Sequence, residues 1–141
     1  MSSCVFCKII NHEIPGHILF ENNNILVFLD ISQTTKGHTL IIPKKHISNV
    51  FDMSEEDMAH VFSAVPRIAN ALKTAFNVEG MNIVNNNEIV AGQTVFHYHV
   101  HLIPRYEKTD SFQINYTNNM EQYSTEDLMT LKDEVKKKLI D

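Results

Sequence analysis

GQTVFHYHVHLIP, residues 92–104, contains three of the eight histidines of the chain. They stand at alternate positions: His97, His99 and His101. The residues around them are mostly β-branched, aromatic or aliphatic, so the stretch predicts a β-strand that Pro104 ends. Because strand side chains alternate between faces, the three imidazoles share one face of this strand. The opposite face is apolar and carries Tyr98, Val100 and Leu102.

A row of imidazoles favours chemistry over a purely structural role. Imidazole is a nucleophile, a proton carrier near neutral pH and a metal ligand. At a rise of about 3.3 Å per residue, His97 and His101 lie about 13 Å apart at Cα. This is too far for a compact three-ligand metal site unless the strand bends, although neighbouring pairs can share a metal. The position inside an apolar strand pattern excludes a polyhistidine tag. Acyl transfer, phosphoryl transfer and metal binding remain open.

Length and charge narrow the class of protein. The 141 residues fit one domain with a single core. A net charge of −5 argues against a nucleic-acid surface or an anionic membrane as partner, because a basic excess supplies most of that affinity. No apolar run has the length of a membrane-spanning helix, and the amino terminus lacks a signal-peptide pattern. We therefore expect a cytoplasmic protein.

Cys4 and Cys7 are the only cysteines. Two thiols this close in sequence do not make a disulfide scaffold. A redox pair of the thioredoxin type follows a strand. Only three residues precede Cys4, so this interpretation is disfavoured. The other interpretations are a structural thiol pair and half of a tetrahedral zinc site, which we favour. The residues alone do not identify the remaining ligands, and His12 and His17 are the nearest histidines.

Local patterns predict four more strands and three helices. The strands are predicted over His17 to Glu21, Ile25 to Leu29, His38 to Ile42 and Met81 to Val84. Helices are predicted over Cys4 to Asn11, capped by Ser3, from the cap at Ser54 to Phe76, and beyond the cap at Ser124. Pro66 should kink the long central helix. These elements predict an α+β fold with a five-stranded, mainly antiparallel sheet, one long helix and short terminal helices.

The histidine motif and its flanks resemble a known family. His97-Tyr98-His99-Val100-His101-Leu102-Ile103 resembles the His-φ-His-φ-His-φ-φ signature of the histidine triad (HIT) superfamily of nucleotidyl hydrolases and transferases. The flanks resemble its Hint-like branch: Asp30-Ile31-Ser32, Gly37-His38, Ile42-Pro43-Lys44-Lys45-His46 and Ala91-Gly92-Gln93-Thr94. The similarity covers about residues 4 to 105. It implies a HIT-like fold, with residues 1–141 forming one HIT domain and a C-terminal helical extension.

The resemblance also implies a reaction. His99 would attack the α-phosphorus of a purine nucleotide and form a covalent nucleotidyl-histidine, which water then hydrolyses. His101 would bond the phosphate oxygens or pass a proton to the leaving group, and His38 would lie beside this catalytic face. The nucleotide would contact the following residues: Asp30, Ile31, Asn85, Gly92, Gln93, Thr94, His99 and His101.

A structural zinc is the cofactor that the resemblance implies. Its ligands would be Cys4, Cys7, His46 and His97. Two other functions stay open: a metal-dependent hydrolase with His97 and His99, or His99 and His101, as zinc ligands, and a zinc-stabilised nucleotide-binding or scaffold protein without turnover. The chain has no tryptophan, unlike the carboxy-terminal tail of Hint proteins, so both phosphoramidates and dinucleoside polyphosphates remain candidate substrates.

We also predict a homodimer, which relatives in the triad family form. An open five-stranded sheet leaves an exposed edge. The central helix carries more apolar residues than one sheet face need cover: Met58, Val61, Phe62, Val65, Ile68, Ala69, Leu72 and Phe76. A two-fold interface would bury this surplus.

Overall fold

Two apolar runs form the centre of the sheet. They are β2 (Ile25–Leu29) and β3 (Thr39–Pro43), which pair antiparallel in the computed structural model, and that model describes residues 3–139. β1 (Ile18–Glu21), β4 (Gly80–Val84) and β5 (Val100–Arg105) complete a five-stranded antiparallel sheet in the order β1-β2-β3-β5-β4. The predicted fold class is confirmed.

The histidine strand is shorter and later than predicted. β5 begins at Val100, so only His101 of the three histidines lies within it. The strand also continues through Pro104 to Arg105. Pairing with β3 ends at Leu102, and beyond it β5 pairs only with β4. Proline is tolerated there because a strand with one free side does not need every amide as a donor.

The central helix is interrupted, which differs from the predicted kink. α2 (Glu55–Ser63) ends at Ala64, and α3 (Val65–Phe76) begins directly after it. Pro66 lies in the first turn of α3, where its missing N–H costs nothing, but it cannot continue the helix that precedes it. The proline therefore divides one amphipathic stretch into two helices.

The sheet separates two apolar clusters. α2 and α3 pack on one face through Val61, Val65, Ile68 and Leu72 together with Tyr98, Val100 and Leu102. Met58 and Phe76 also pack there, so most of the apolar residues of this helical stretch are absorbed within the chain, although Phe62 stays 40% exposed. On the other face, the short α1 (Val5–Ile10) contributes Phe6 and Ile9. α1 is capped by Cys4 instead of Ser3.

The carboxy-terminal arm differs from the rest of the chain. α4 (Thr125–Lys138) starts with the predicted cap at Ser124, completed as a capping box by Asp127. Every residue from 113 to 139 is exposed, although the arm carries several large apolar side chains. Among residues 3–139, no helix is long and apolar enough to cross a membrane.

Candidate functional site

The predicted alternation of faces is confirmed, even though the strand starts late. Tyr98, Val100 and Leu102 are buried in the core with α2 and α3. The three histidines face the α1 side, and two of them line a cavity there. The third, His97, turns toward a separate cluster of cysteines.

Four sulfur and nitrogen ligands come together beneath α1. Cys7 Sγ lies 3.3 Å from His46 Nδ1 and 3.6 Å from His97 Nδ1, and Cys4 Sγ lies 3.5 Å from His97 Nδ1. A tetrahedral zinc with Zn–S of about 2.3 Å and Zn–N of about 2.0 Å places its S and N ligands about 3.5 Å apart. The Cys4, Cys7, His46 and His97 group therefore has the donor chemistry and the spacing of a structural zinc site.

His97 is prepared for metal binding by its opposite ring nitrogen. Nε2 donates to the backbone carbonyl of Pro43 at 2.8 Å, which leaves the Nδ1 lone pair toward the cysteines. Burial lowers the pKa of His97 to about 4, so the ring is neutral at physiological pH. A neutral imidazole whose second nitrogen is hydrogen-bonded is the usual state of a histidine ligand.

A cavity of about 420 Å³ lies beside this cluster. Six of the predicted site residues line it: Asp30, Ile31, Gly92, Thr94, His99 and His101. Apolar side chains also line it: Phe6, Ile9, Ile14, Phe28 and Leu40. This combination of polar and apolar lining residues suits a ligand with a charged group and a flat apolar group.

The sequence did not identify the apolar wall as part of the site. Phe6 and Ile9 lie on α1, and in sequence they are only the apolar positions of a short helix. The Phe6 ring also meets the His99 ring edge-on, with centroids 5.2 Å apart. The helix that contains Cys7 and is capped by Cys4 thus also forms part of the cavity lining.

The tautomer of His99 is fixed by its own backbone neighbour. His99 Nδ1 donates to the carbonyl of His97 at 2.8 Å, so the lone pair of the neutral ring is on Nε2. Burial lowers the pKa of His99, which keeps the ring neutral at pH 7. An oriented neutral imidazole at a cavity wall is a competent nucleophile.

His101 is oriented by a chain of hydrogen bonds through His38. The Thr34 N–H points at His38 Nδ1 at 3.3 Å, so the neutral His38 ring carries its hydrogen on Nε2. His38 Nε2 then donates to His101 Nδ1 at 2.9 Å, which leaves the His101 hydrogen on Nε2. Burial, together with the neighbouring histidines, lowers the pKa of His101 to about 4.

Asp30 closes this hydrogen-bonded group. Its Oδ1 accepts from the Ser32 amide at 2.8 Å and the Ser32 hydroxyl at 2.7 Å, while Oδ2 lies 3.7 Å from His38 Nε2. Burial acts to raise the pKa of Asp30, but the Ser32 hydrogen bonds and the nearby histidines lower it on balance. The carboxylate stays ionised at one end of the cavity.

Asp30, His38 and His101 also have the spacing of a metal site, with ligand atoms within 4.8 Å of one another. Ligation through His38 Nε2 would require its hydrogen to move to Nδ1, where the Thr34 N–H already points. The hydrogen-bonded arrangement therefore fits these groups better than a metal. Among residues 3–139, neither candidate metal group contains His99, so a catalytic zinc held by His99 and a neighbouring triad histidine finds no support.

The side chains of Gln93 and Asn85, two of the predicted nucleotide contacts, bond to other parts of the chain. The Gln93 side-chain amide is buried and donates to the carbonyls of Ser48 and Val95 at 2.7 and 3.1 Å, so it has no hydrogen left for a phosphate. Asn85 Nδ2 donates to the backbone carbonyl of His99 at 2.9 Å. Each side chain thus fixes the backbone to which it bonds. Nothing in the local sequence indicates the partners Ser48 and His99.

The match to known proteins agrees with this site. The HIT domain family matches residues 11–108, and the chain belongs to this family. It is 47% identical to "Protein hit" of Bacillus subtilis over 97% of this chain and 94% of that protein. It is 34% identical to adenosine 5'-monophosphoramidase hnt1 of Schizosaccharomyces pombe, over 97% and 98% of the two chains.

Solved structures extend the likeness to the arm. A HIT family protein from Bacillus anthracis superposes with a TM-score of 0.95 over 98% of each chain at 46% identity. A zinc-bound histidine triad family protein from Mycobacterium smegmatis superposes with a TM-score of 0.75 at 36% identity, over 85% of this chain and 87% of that one. The fold around the cavity is thus a HIT fold, and one member binds zinc.

Proposed function

We propose that this protein is a nucleotidyl hydrolase or transferase that acts through a covalent nucleotidyl-His99 intermediate. The observation that carries the proposal is the pair of complementary nitrogens at one cavity. His99 offers a lone pair on Nε2, and His101 offers a hydrogen on Nε2. Membership of the HIT family and a relative named as an adenosine 5'-monophosphoramidase support a nucleotide substrate.

In the first step, His99 Nε2 attacks the α-phosphorus and forms a P–N bond. The bond from phosphorus to the leaving group breaks with its electron pair on the leaving atom, and a leaving amine takes a proton from the surrounding water. His101 Nε2–H donates to a phosphoryl oxygen, where negative charge concentrates. In the second step, water attacks phosphorus and gives a proton to the surrounding water. The P–N bond breaks with its electron pair returning to His99 Nε2, and the nucleoside monophosphate is released.

The cavity lining offers partners for both the base and the ribose of a purine nucleotide. The apolar wall with Phe6, Phe28 and Leu40 suits a base, and the Asp30 carboxylate suits ribose hydroxyls as an acceptor. Ile31 lies at the mouth of the cavity and is 90% exposed, so a bound base would cover it. Gly92 and Thr94 line the same cavity as His99 and His101 and would contact the phosphate.

We propose that Cys4, Cys7, His46 and His97 bind one structural zinc. The cluster geometry supports this, as does the zinc-bound relative from Mycobacterium smegmatis. When bound, the metal would tie α1 to the segments that carry His46 and His97. Since the site needs reduced thiols, it agrees with a cytoplasmic location.

We also propose a two-fold homodimer. β4 is an edge strand with Ile83 49% exposed. The arm exposes a row of apolar side chains on α4 and at its C-cap: Leu128, Leu131, Val135 and Leu139. An isolated helix of 14 residues is only marginally stable in water, so α4 needs a packing partner. Light scattering at micromolar concentration should give twice the mass of the 16.2 kDa chain, and a monomer would refute the dimer.

The reaction is tested by intact mass spectrometry after brief mixing with an adenosine phosphoramidate. The wild-type chain should gain the mass of one adenylyl group and lose it over time. His99→Ala should gain none, whereas His60→Ala, a change on α2 across the sheet from the cavity, should behave as wild type. Nucleotide binding without any adduct or turnover would instead support the binding or scaffold function.

A further inference from the structure

The loop between β4 and β5, which lines the cavity, holds an unusual backbone. Glu88 has φ of 75° and Gly92 has φ of 92°. A glutamate in the left-handed region is strained and persists only where surrounding contacts enforce it. Asn86, Gly92 and Thr94 of this loop line the cavity. The contacts that enforce this shape therefore bear directly on the site.

The first set of contacts comes from Asn49, which is 3% exposed. Its side-chain amide donates to Glu88 Oε1 at 2.8 Å, and its Oδ1 accepts from the Phe51 amide at 3.2 Å. Glu88 N in turn donates to Gln93 Oε1 at 2.8 Å. The strained residue is thus held through both its backbone and its side chain.

The second set is a relay that ends at the nucleophile. The Val50 amide donates to Asn87 Oδ1 at 2.7 Å, and Asn87 Nδ2 donates to Asn85 Oδ1 at 2.6 Å. Asn85 Nδ2 then donates to the His99 carbonyl at 2.9 Å. Three hydrogen bonds link the segment after His46 to the backbone of His99.

We propose that Asn49 and Asn87 are positioning residues for nucleotidyl transfer, which rests on the function proposed above. Asn49 holds the loop between β4 and β5, and Asn87 holds the His99 backbone through Asn85. Neither side chain lines the cavity, so both act through other residues. The base and ribose regions lie on other elements and should bind nucleotide as before.

This division predicts which kinetic constant changes. A displacement of His99 or of the loop between β4 and β5 by a fraction of an ångström raises the free energy of the transition state. It raises the free energy of the bound ground state less. Loss of either contact should therefore lower kcat about 10- to 100-fold and change KM less than about 3-fold. A general loss of structure would instead lower the fraction of active protein and the Tm together.

The experiment exchanges donor and acceptor between two residues. Asn49→Asp keeps the acceptor for Phe51 N but places a carboxylate against Glu88. Glu88→Gln alone keeps an acceptor for Asn49 and should cost little. The double variant Asn49→Asp Glu88→Gln restores the hydrogen bond to residue 88 with reversed polarity and should recover part of the lost kcat, because the new carboxylate still faces Gln93 Oε1 at 3.5 Å.

Asn87→Asp tests the relay in the same way. The new carboxylate keeps the acceptor for Val50 N but meets Asn85 Oδ1 without a hydrogen. Asn22→Asp is the matched control, because Asn22 Oδ1 also accepts two backbone amides, at 2.8 and 2.9 Å, in an exposed turn outside the site. Its kcat should stay within about 2-fold of wild type.

The readouts are the single-turnover rate of adduct formation, KM and Tm for each variant. A slow Asn49→Asp partly rescued by Glu88→Gln, with a slow Asn87→Asp, is the expected result. Wild-type rates in both Asn49→Asp and Asn87→Asp would overturn the positioning role. A fall in rate that Glu88→Gln does not reverse and that follows a fall in Tm would overturn it as well. An absence of adduct in the wild type would instead overturn the proposed function.

Discussion

His97 and His99 are two residues apart and point to the same side of the sheet, yet their rings lie in different surroundings. His97 is fully buried, with one nitrogen on the Pro43 carbonyl and the other toward two thiols. His99 has one nitrogen on the His97 carbonyl and the other unprotonated beside a cavity. In each ring one nitrogen is bonded to a backbone carbonyl, and the surroundings of the other nitrogen differ. Those surroundings decide that His97 suits a metal and that His99 suits nucleophilic attack.

The largest effect should come from the cavity end of this pair. His99→Ala removes the proposed nucleophile and should lower turnover by at least about 10³-fold. Nucleotide affinity, measured by calorimetry, should stay within a few-fold because the apolar wall is intact. Near-native turnover in this variant would end the assignment of His99.

His38 should have the next largest effect, through the orientation of His101. His38→Ala removes the donor to His101 Nδ1 and should lower kcat about 100-fold, within the range of acid–base groups. His38→Gln restores an N–H donor and should recover much of that loss. Equal activities of the Ala and Gln variants would contradict the hydrogen-bonded chain.

The metal end should affect stability more than chemistry. Cys4→Ser Cys7→Ser should lose about one equivalent of zinc in metal analysis and lower the Tm by at least about 5 °C. Turnover should fall only about tenfold, through displacement of α1 and its Phe6. Ser2→Ala Ser3→Ala supplies a control at the same end of the chain, and metal retained in the thiol variant would point away from the cysteine cluster.

The smallest effect concerns pH. Burial lowers the pKa of His101 from 6.5 to about 4, so the folded state binds fewer protons than the unfolded state between these values. The stability from this group is present above pH 6.5 and is lost as the pH falls toward 4. Urea unfolding should show a decline over this window that is shallower in His101→Asn, and equal slopes would show that His101 does not contribute.

The sequence predicted most of the fold because its signals are local. Alternation from Tyr98 to Leu102 identified the core face, and Ser124 identified the start of α4. The interruption at Ala64 was underestimated, since a proline pattern does not distinguish a kink from two helices.

The site was less accessible to sequence reasoning. The resemblance supplied the proposed zinc ligands and the proposed nucleophile, and the structure brings the four candidate zinc ligands together. The bonds from Gln93 to Ser48 and from Asn85 to His99 span 45 and 14 residues, and no local pattern encodes them. The cavity role of Phe6 was missed for the same reason, because it depends on how α1 packs across the sheet.

His97 connects the cysteine cluster to the cavity that His99 lines. Its ring belongs to the thiol cluster, while its carbonyl sets the tautomer of His99. Loss of the two thiols would therefore leave the His99 tautomer unchanged only if the carbonyl of residue 97 stays in place by other means. The hydrogen bond from His97 Nε2 to the Pro43 carbonyl supplies such an anchor, because it does not involve the thiols.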